Sequence, residues 1–251
     1  MTELITMHTH SMFCNHAKDP LDDMVQAAVD AGIAHMAATE HYPIPDELDP
    51  SKRSTMPAER LEVYIDAVRE QQKRDDIDVL LGCELDWLGK DETRALHASD
   101  FDRFDVVLGS IHFVDRWLMV SHKNMSRWKS VDLEAFWNRY VELWCEAAKS
   151  DMPFTVMAHA DVVKKFSPKP EFDLEPLYER MARAAREGGR MVEVNTSGAY
   201  AECSEYYPSP SLLQAFCAEG VACTVGTDAH CKEHIARDIG TGQQHFFAGF
   251  H

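Results

Sequence analysis

Short apolar runs of β character alternate along this chain with longer stretches in which apolar residues recur at the helical period. Seven runs read as strands: LITM (4–7), HMAAT (35–39), DVLLGCE (78–84), FDVVLGS (104–110), FTVMAH (154–159), RMVEVN (190–195) and VACTVGTD (221–228). Between the first two, PLDDMVQAAVDAG places Met24, Ala27, Ala28 and Ala31 on one helical face and stops at Gly32. MPAERLEVYIDAVREQQKRD does the same with Leu61, Tyr64, Ile65 and Val68, and VDLEAFWNRYVELWCEAAKS carries an aromatic face suited to a core. DLEPLYERMARAAREGG, closed by Gly188 and Gly189, and PSPSLLQAFCAEG, closed by Gly220, complete the helix candidates. This alternation predicts βα units around a parallel sheet or barrel. No Pro-, Gly- or Ser-rich linker, internal repeat or low-complexity tract divides residues 1–251, so a single domain is expected.

The strand candidates share a property: polar, metal-capable side chains gather at or just past their C-terminal ends. His8 and His10 end the first, Glu40 and His41 the second, and Glu84 the third; Ser110 and His112 follow the fourth, His159 and Asp161 the fifth, Asn195 the sixth, and Asp228 and His230 the seventh. In a parallel barrel these ends open on one face, where distant residues converge. The other histidines, His35, His97, His122, His234, His245 and His251, lack this placement.

Imidazole and carboxylate clustered without lysine or arginine are costly to bury unless a cation orders them. Alternation along an extended segment turns His8 and His10 to one side and Thr9 to the other, and Asp228 with His230 repeats the spacing. Glu84 has two oxygens with which to bridge ions. Together with His16, His41, His112 and His159, these residues exceed the four ligands of a tetrahedral zinc and suit two or three divalent ions. Paired ions roughly 3.5–4 Å apart typically generate hydroxide and clamp a phosphoryl group.

Composition adds limits. A formal net charge of −17, with 45% hydrophobic and 27% charged residues, describes a globular chain that repels a phosphate backbone, so nucleic acid is not an expected partner. Bound divalent cations would invert that potential locally and leave an anionic substrate possible. The opening MTELITMHTH has neither the basic nor the apolar region of a secretory signal, and no later run approaches ~18 apolar residues. A cytoplasmic protein with no membrane partner is expected. Seven cysteines, with no C-x-x-C pair, read as reduced and mostly buried thiols.

The segments HTHS, NHA, TEHY, GCEL, GSIH, MAHAD and GTDAH, in this order, resemble the polymerase-and-histidinol-phosphatase (PHP) family of metallophosphoesterases. The resemblance implies an α/β fold, a distorted (β/α)7 TIM-like barrel, with a trinuclear site of zinc, manganese or iron at the strand C-termini. It implies His8, His10, Glu84 and Asp228 around one ion, His16, His41 and His230 around a second, and Glu84, His112 and His159 around a third. A metal-bridging hydroxide would be the nucleophile, and Asp161 would orient a ligand or protonate the leaving group.

Length, GSIHF and EVNTSGAYAECSEYYPSPSLL are most similar to stand-alone histidinol-phosphate phosphatases, which implies L-histidinol phosphate, a small phosphorylated metabolite, as substrate. That branch follows its Asn-Thr-Ser-Gly element with Leu-Arg; this chain has Ala199 and Tyr200, neither of which reproduces a guanidinium fork. Lys164, Lys165, Lys123 and Arg127 are candidate phosphate partners, with Asn195 and Ser197 from the element itself. A nucleotide, sugar phosphate or diester substrate, a carbon–nitrogen hydrolase and a non-catalytic metal-binding module are the alternatives.

Two further expectations concern segments beside the ligands. FVDRWLMVSHKNMSRW (113–128) reads either as a charged lid with an aromatic wall or as a loop capped by core aromatics. Cys14, Cys83 and Cys231 adjoin ligands and are expected to face away, as strand neighbours do.

Overall fold

The computed structural model describes residues 3–49, 53–97 and 101–248; His251 lies outside them. Among the described residues nine strands form: β1 (Leu4–Thr6), β2 (Ile33–His41), β3 (Asp78–Asp86), β4 (Val106–Ser110), β5 (Phe113–Val114), β6 (Trp117–Leu118), β7 (Val156–Met157), β8 (Met191–Asn195) and β9 (Cys223–Gly226). The helices are α1 (Leu21–Asp30), α2 (Leu61–Gln71), α3 (Lys90–His97), α4 (Leu133–Lys149), α5 (Glu175–Gly188), α6 (Pro210–Ala218) and α7 (Ile239–Ala248). Local chemistry sets several boundaries. Asp132 caps α4 through Ala135 N, Ser209 caps α6 through Leu212 N ahead of Pro210, and α5 ends at Gly189 in the left-handed region.

Seven strands make one sheet in the order β1-β2-β3-β4-β7-β8-β9, every neighbour parallel. The sheet curls until its two edges meet. Met7 N donates to Val225 O (2.8 Å), Asp228 N to His8 O (2.9 Å) and His10 N to Ala229 O (2.8 Å), so the seam is closed just beyond the ends of β1 and β9. The result is a nearly closed parallel barrel wrapped by helices, as the sequence predicts. Strands β5 and β6 form a separate antiparallel hairpin on the loop after β4.

Alternation divides each strand between two apolar regions. A large core packs the helix-facing residues, among them Met36, Leu81, Val107, Val192 and Val225, against α1, α2, α4, α5 and α6. A smaller cluster of Ala37, Val106, Leu108, Val156 and Ala158, joined by Leu80 and Met191, plugs the barrel interior. Moving along the inward-facing positions from this plug, Leu80 is followed by Gly82 and Glu84, Leu108 by Ser110, and Met191 by Glu193 and Asn195. The barrel therefore has a dry floor with polar side chains stacked toward its C-terminal mouth.

Candidate metal centre

Glu84 sits at the middle of this polar layer, fully buried, and its neighbours come from five loops or strands. Its Oε1 accepts from Ser110 Oγ (2.5 Å) and lies 2.9 Å from His159 Nε2 and 3.5 Å from His112 Nε2. Its Oε2 lies 2.8 Å from His41 Nδ1, 3.3 Å from His8 Nε2 and 3.4 Å from His10 Nε2, yet no N–H is aligned to bond it. Asp228 Oδ1 is 3.2 Å from His10 Nε2 and 3.6 Å from His8 Nε2. His16, His41 and His230 make a neighbouring group nearer the surface. All nine ligand candidates thus converge on the one face.

Charge follows from this crowding. Burial alone would raise Glu84, but His41, His8 and His112 hold its carboxyl well below the usual range; Asp228 is likewise kept low by His8, His10 and His230 against its burial. Burial opposes protonation of His8, but Glu193, Glu84 and Asp228 together raise it well above an ordinary imidazole. His10 is pushed well down by burial and by His230 and His41. Burial, with His41 and His230, lowers His16 to about 3, and burial also lowers His230.

Tautomers decide what the rings can do. His16 Nδ1 and His230 Nδ1 lie 2.9 Å from the carbonyls of Cys14 and Asp228, and a carbonyl can only accept, so both Nδ1 atoms carry the proton. Their Nε2 lone pairs then face each other at 2.9 Å, and the lowered basicity of both rings disfavours a proton between them. His8 Nδ1 is held by Glu193 at 2.9 Å and His112 Nδ1 by Asp86 at 3.0 Å, which likewise aims each Nε2 inward. Among the described residues no lysine or arginine pairs with Glu84, Glu193 or Asp228. Inward lone pairs, an orphaned carboxylate oxygen and no balancing cation side chain are the donor set of a divalent metal centre, so these residues fit such ions.

Two residues that hold this arrangement escaped the sequence reading. Glu193 lies inside β8 and Asp86 ends β3, two residues past the run read as that strand, and each orients a histidine through its outer nitrogen. Their signal was a charged residue inside an apolar strand run, Glu193 between Val192 and Val194, and Asp86 after Leu85. Gly226 completes the fit, since a methyl group there would lie 1.9 Å from Glu193 Oε1 and 2.5 Å from His8 Cβ.

The remaining candidates are placed more variously. Asn195 donates to Glu193 Oε2 (3.1 Å) and accepts from Ser197 N and Oγ (2.9 and 2.6 Å), and Ser197 Oγ reaches Asp228 Oδ2 at 3.4 Å. Asp161 is buried but stands apart from the imidazoles, accepting from Ser209 N (2.9 Å) and Lys164 Nζ (3.0 Å). Lys164 also donates to Glu205 Oε2 and Tyr206 O, both at 2.7 Å. Lys165 lies 5.4 Å over the Phe166 ring, Arg127 lies 4.4 Å over Trp117, and Lys123 is exposed. Trp117 and Trp128 are buried against Phe136, so 113–128 is a loop capped by core aromatics; the aromatic wall of a lid is not formed.

Cys14 departs from expectation. It lies in a 3-10 turn, Met12–Cys14, where strand alternation does not apply, and its Sγ is 4.0 Å from His16 Nε2 while donating to Ser11 O. Cys83 follows the strand rule and is buried in the helix-facing core.

A model of the PHP domain matches residues 6–197, more than half of the chain. This chain belongs to the PHP domain family. A relative from Deinococcus radiodurans named a probable histidinol-phosphatase is 31% identical over 233 residues, covering 92% of this chain and 87% of its own length. A probable histidinol-phosphatase of Schizosaccharomyces pombe is 25% identical, covering 92% and 82%. Among solved structures, the PHP barrel superimposes on a putative histidinol phosphatase from Listeria monocytogenes with a TM-score of 0.84 at 20% identity, covering 94% of this chain and 99% of the other. It also superimposes on a histidinol phosphate phosphatase from Lactococcus lactis subsp. lactis, described in complex with zinc, L-histidinol and phosphate, with a TM-score of 0.80 at 19% identity and coverage of 99% and 95%. These structural likenesses fix the PHP-type barrel. No described helix is long and apolar enough to cross a membrane.

Proposed function

We propose that this PHP-domain chain is a metal-dependent phosphomonoesterase that hydrolyses L-histidinol phosphate to histidinol and phosphate. The observation that carries this reading is the convergence of seven imidazoles, Glu84 and Asp228 on one barrel mouth, with the Nε2 atoms of His8 and His10, His112 and His159, and His16 and His230 paired at 3.0, 3.3 and 2.9 Å. The relatives named histidinol-phosphatase support the substrate.

His8, His10, Glu84 and Asp228 would hold one ion, His16, His41 and His230 a second, and Glu84, His112 and His159 a third, of zinc, manganese or iron. When bound, such ions supply Lewis acidity toward phosphoryl oxygens and activate water. The chain's own residues do the rest. Glu193, Asp86 and two backbone carbonyls fix ring orientation, and Ser197 steadies Asp228. Lys164 is the basic residue assigned to phosphate; it would turn to substrate by exchanging Glu205, the more exposed of its two carboxylate partners. Asp161 then keeps that ammonium in place.

The test is phosphate release by metal-loaded protein from L-histidinol phosphate beside a panel of nucleotides, sugar phosphates and a diester. The highest kcat/KM is expected for histidinol phosphate, and no release from any member overturns the reading. A second reading, another small phosphorylated metabolite, is favoured by Tyr200. This residue replaces the branch's arginine and is 54% exposed, with the Arg237 guanidinium 3.8 Å over its ring. Faster turnover of a different phosphomonoester would select it.

A further inference from the structure

The imidazoles at the barrel mouth are held in two different ways. His16 and His230, on the outer side, are oriented by main chain, through the carbonyls of Cys14 and Asp228. The inner side depends on buried side chains, Asp86 behind His112 and Glu193 behind His8. Fully buried Glu193 binds His8 Nδ1 through Oε1 at 2.9 Å, and its Oε2 accepts from the His159 amide at 2.8 Å and from Asn195 Nδ2 at 3.1 Å. Asn195 holds Ser197, and Ser197 reaches Asp228.

Glu193 therefore touches His8 directly, the backbone of His159 directly, and Asp228 through two intermediates. His159 and Asp228 are the ligand candidates with positive φ, 26° and 50°, a region that non-glycine residues hold only where their surroundings impose it. One carboxylate thus secures a tautomer and two strained ligands. We propose that Glu193 is the positioning residue of the inner half of the metal centre, and that it bears on the outer half only at one remove, through Asp228, whose carbonyl holds His230. The proposal rests on reading the site as a multi-ion centre.

Hydrogen-bond polarity makes the claim testable. An amide at 193 cannot serve all three partners, because the His159 N–H and the Asn195 NH2 both donate. With its NH2 on that side, donors face donors; turned over, the NH2 meets His8 Nδ1 and drives the proton onto Nε2, the atom that should bind metal.

The experiment loads wild type and Glu193→Gln with zinc, then titrates each with a chelator and counts residual ions per chain by elemental analysis. Wild type should release its ions in two classes. In E193Q the inner class should leave at chelator concentrations roughly 10- to 100-fold lower, the usual cost of losing a partner behind a ligating histidine, while the outer class shifts by several-fold less. His16→Ala should give the mirror pattern, and Glu193→Asp, which keeps the charge, should recover part of the inner affinity.

A merely structural role would weaken both classes equally, and that result, or release identical to wild type, overturns the proposal. Should E193Q fail to accumulate as folded protein, Asn195→Ala cuts the same network one step out and must show the same selective loss. Wild type that retains no ion overturns the multi-ion reading itself, and this proposal with it.

Discussion

The chemistry of this site is divided between atoms that would meet a metal and atoms that aim them. His8 and His112 each present Nε2 inward because a buried carboxylate, Glu193 or Asp86, accepts a hydrogen bond from Nδ1–H. Gly226 allows this on the His8 side, which makes it a sensitive position although it carries no functional group. Gly226→Ala should cost about 1–3 kcal/mol, as overpacking of a filled interior does, and should lower zinc retention. Urea denaturation and elemental analysis of the same preparation check both. The ligand candidates were readable from sequence because H-x-H, D-x-H and their kin recur at strand ends. Glu193 was not, because a lone carboxylate in RMVEVN gains meaning only when the barrel closes and brings His8 within 2.9 Å. Cys14 was misjudged for a similar reason: the rule applied to it belongs to strands, and the chain there is a 3-10 turn.

Strands and amphipathic helices emerged from periodicity with boundaries shifted by only a few residues, whereas elements lacking an apolar stripe did not. In α3, KDETRALH is almost wholly polar, and Thr93 is its buried anchor, accepting from Leu88 N at 2.8 Å. In α7, IGTGQQHFFA contains two glycines that argue against a helix; Gly242 is there because a side chain would press on Thr196 and Val225. The β5–β6 hairpin is too short for either period.

Arg190 is an element-holding residue at the opposite end of the barrel from the site. Its guanidinium donates to the carbonyls of Ala148, Ser150, Met152 and Phe154, pinning the turn between α4 and β7 without any carboxylate. Arg190→Ala should lower stability on the order of 2–4 kcal/mol, since bonds to a charged donor each contribute roughly 1.5–3 and water replaces part of the loss. Its metal stoichiometry should match wild type. Denaturation midpoints set beside metal content separate the two effects.

Across the whole molecule, the ligand candidates straddle the place where the sheet must join itself. His8 and His10 follow β1, Asp228 and His230 follow β9, and only a few main-chain bonds close the seam between them. Ions shared by these residues would act as a clasp. Removing them with a chelator should lower the thermal midpoint and speed amide exchange around residues 7–10 and 223–230 more than in β2 and β3, whose long pairing needs no ion. Uniform protection with and without metal would refute the clasp.

The same seam orders events when the protein is made. His8 and His10 leave the ribosome first among the ligand candidates, Asp228 and His230 follow more than two hundred residues later, and β1 has no partner on its free edge until β9 arrives. Any ion captured before then meets an incomplete set of donors. A nascent chain would thus stay catalytically silent until residues 228–230 have been made, and the step that finishes the barrel would also switch the enzyme on.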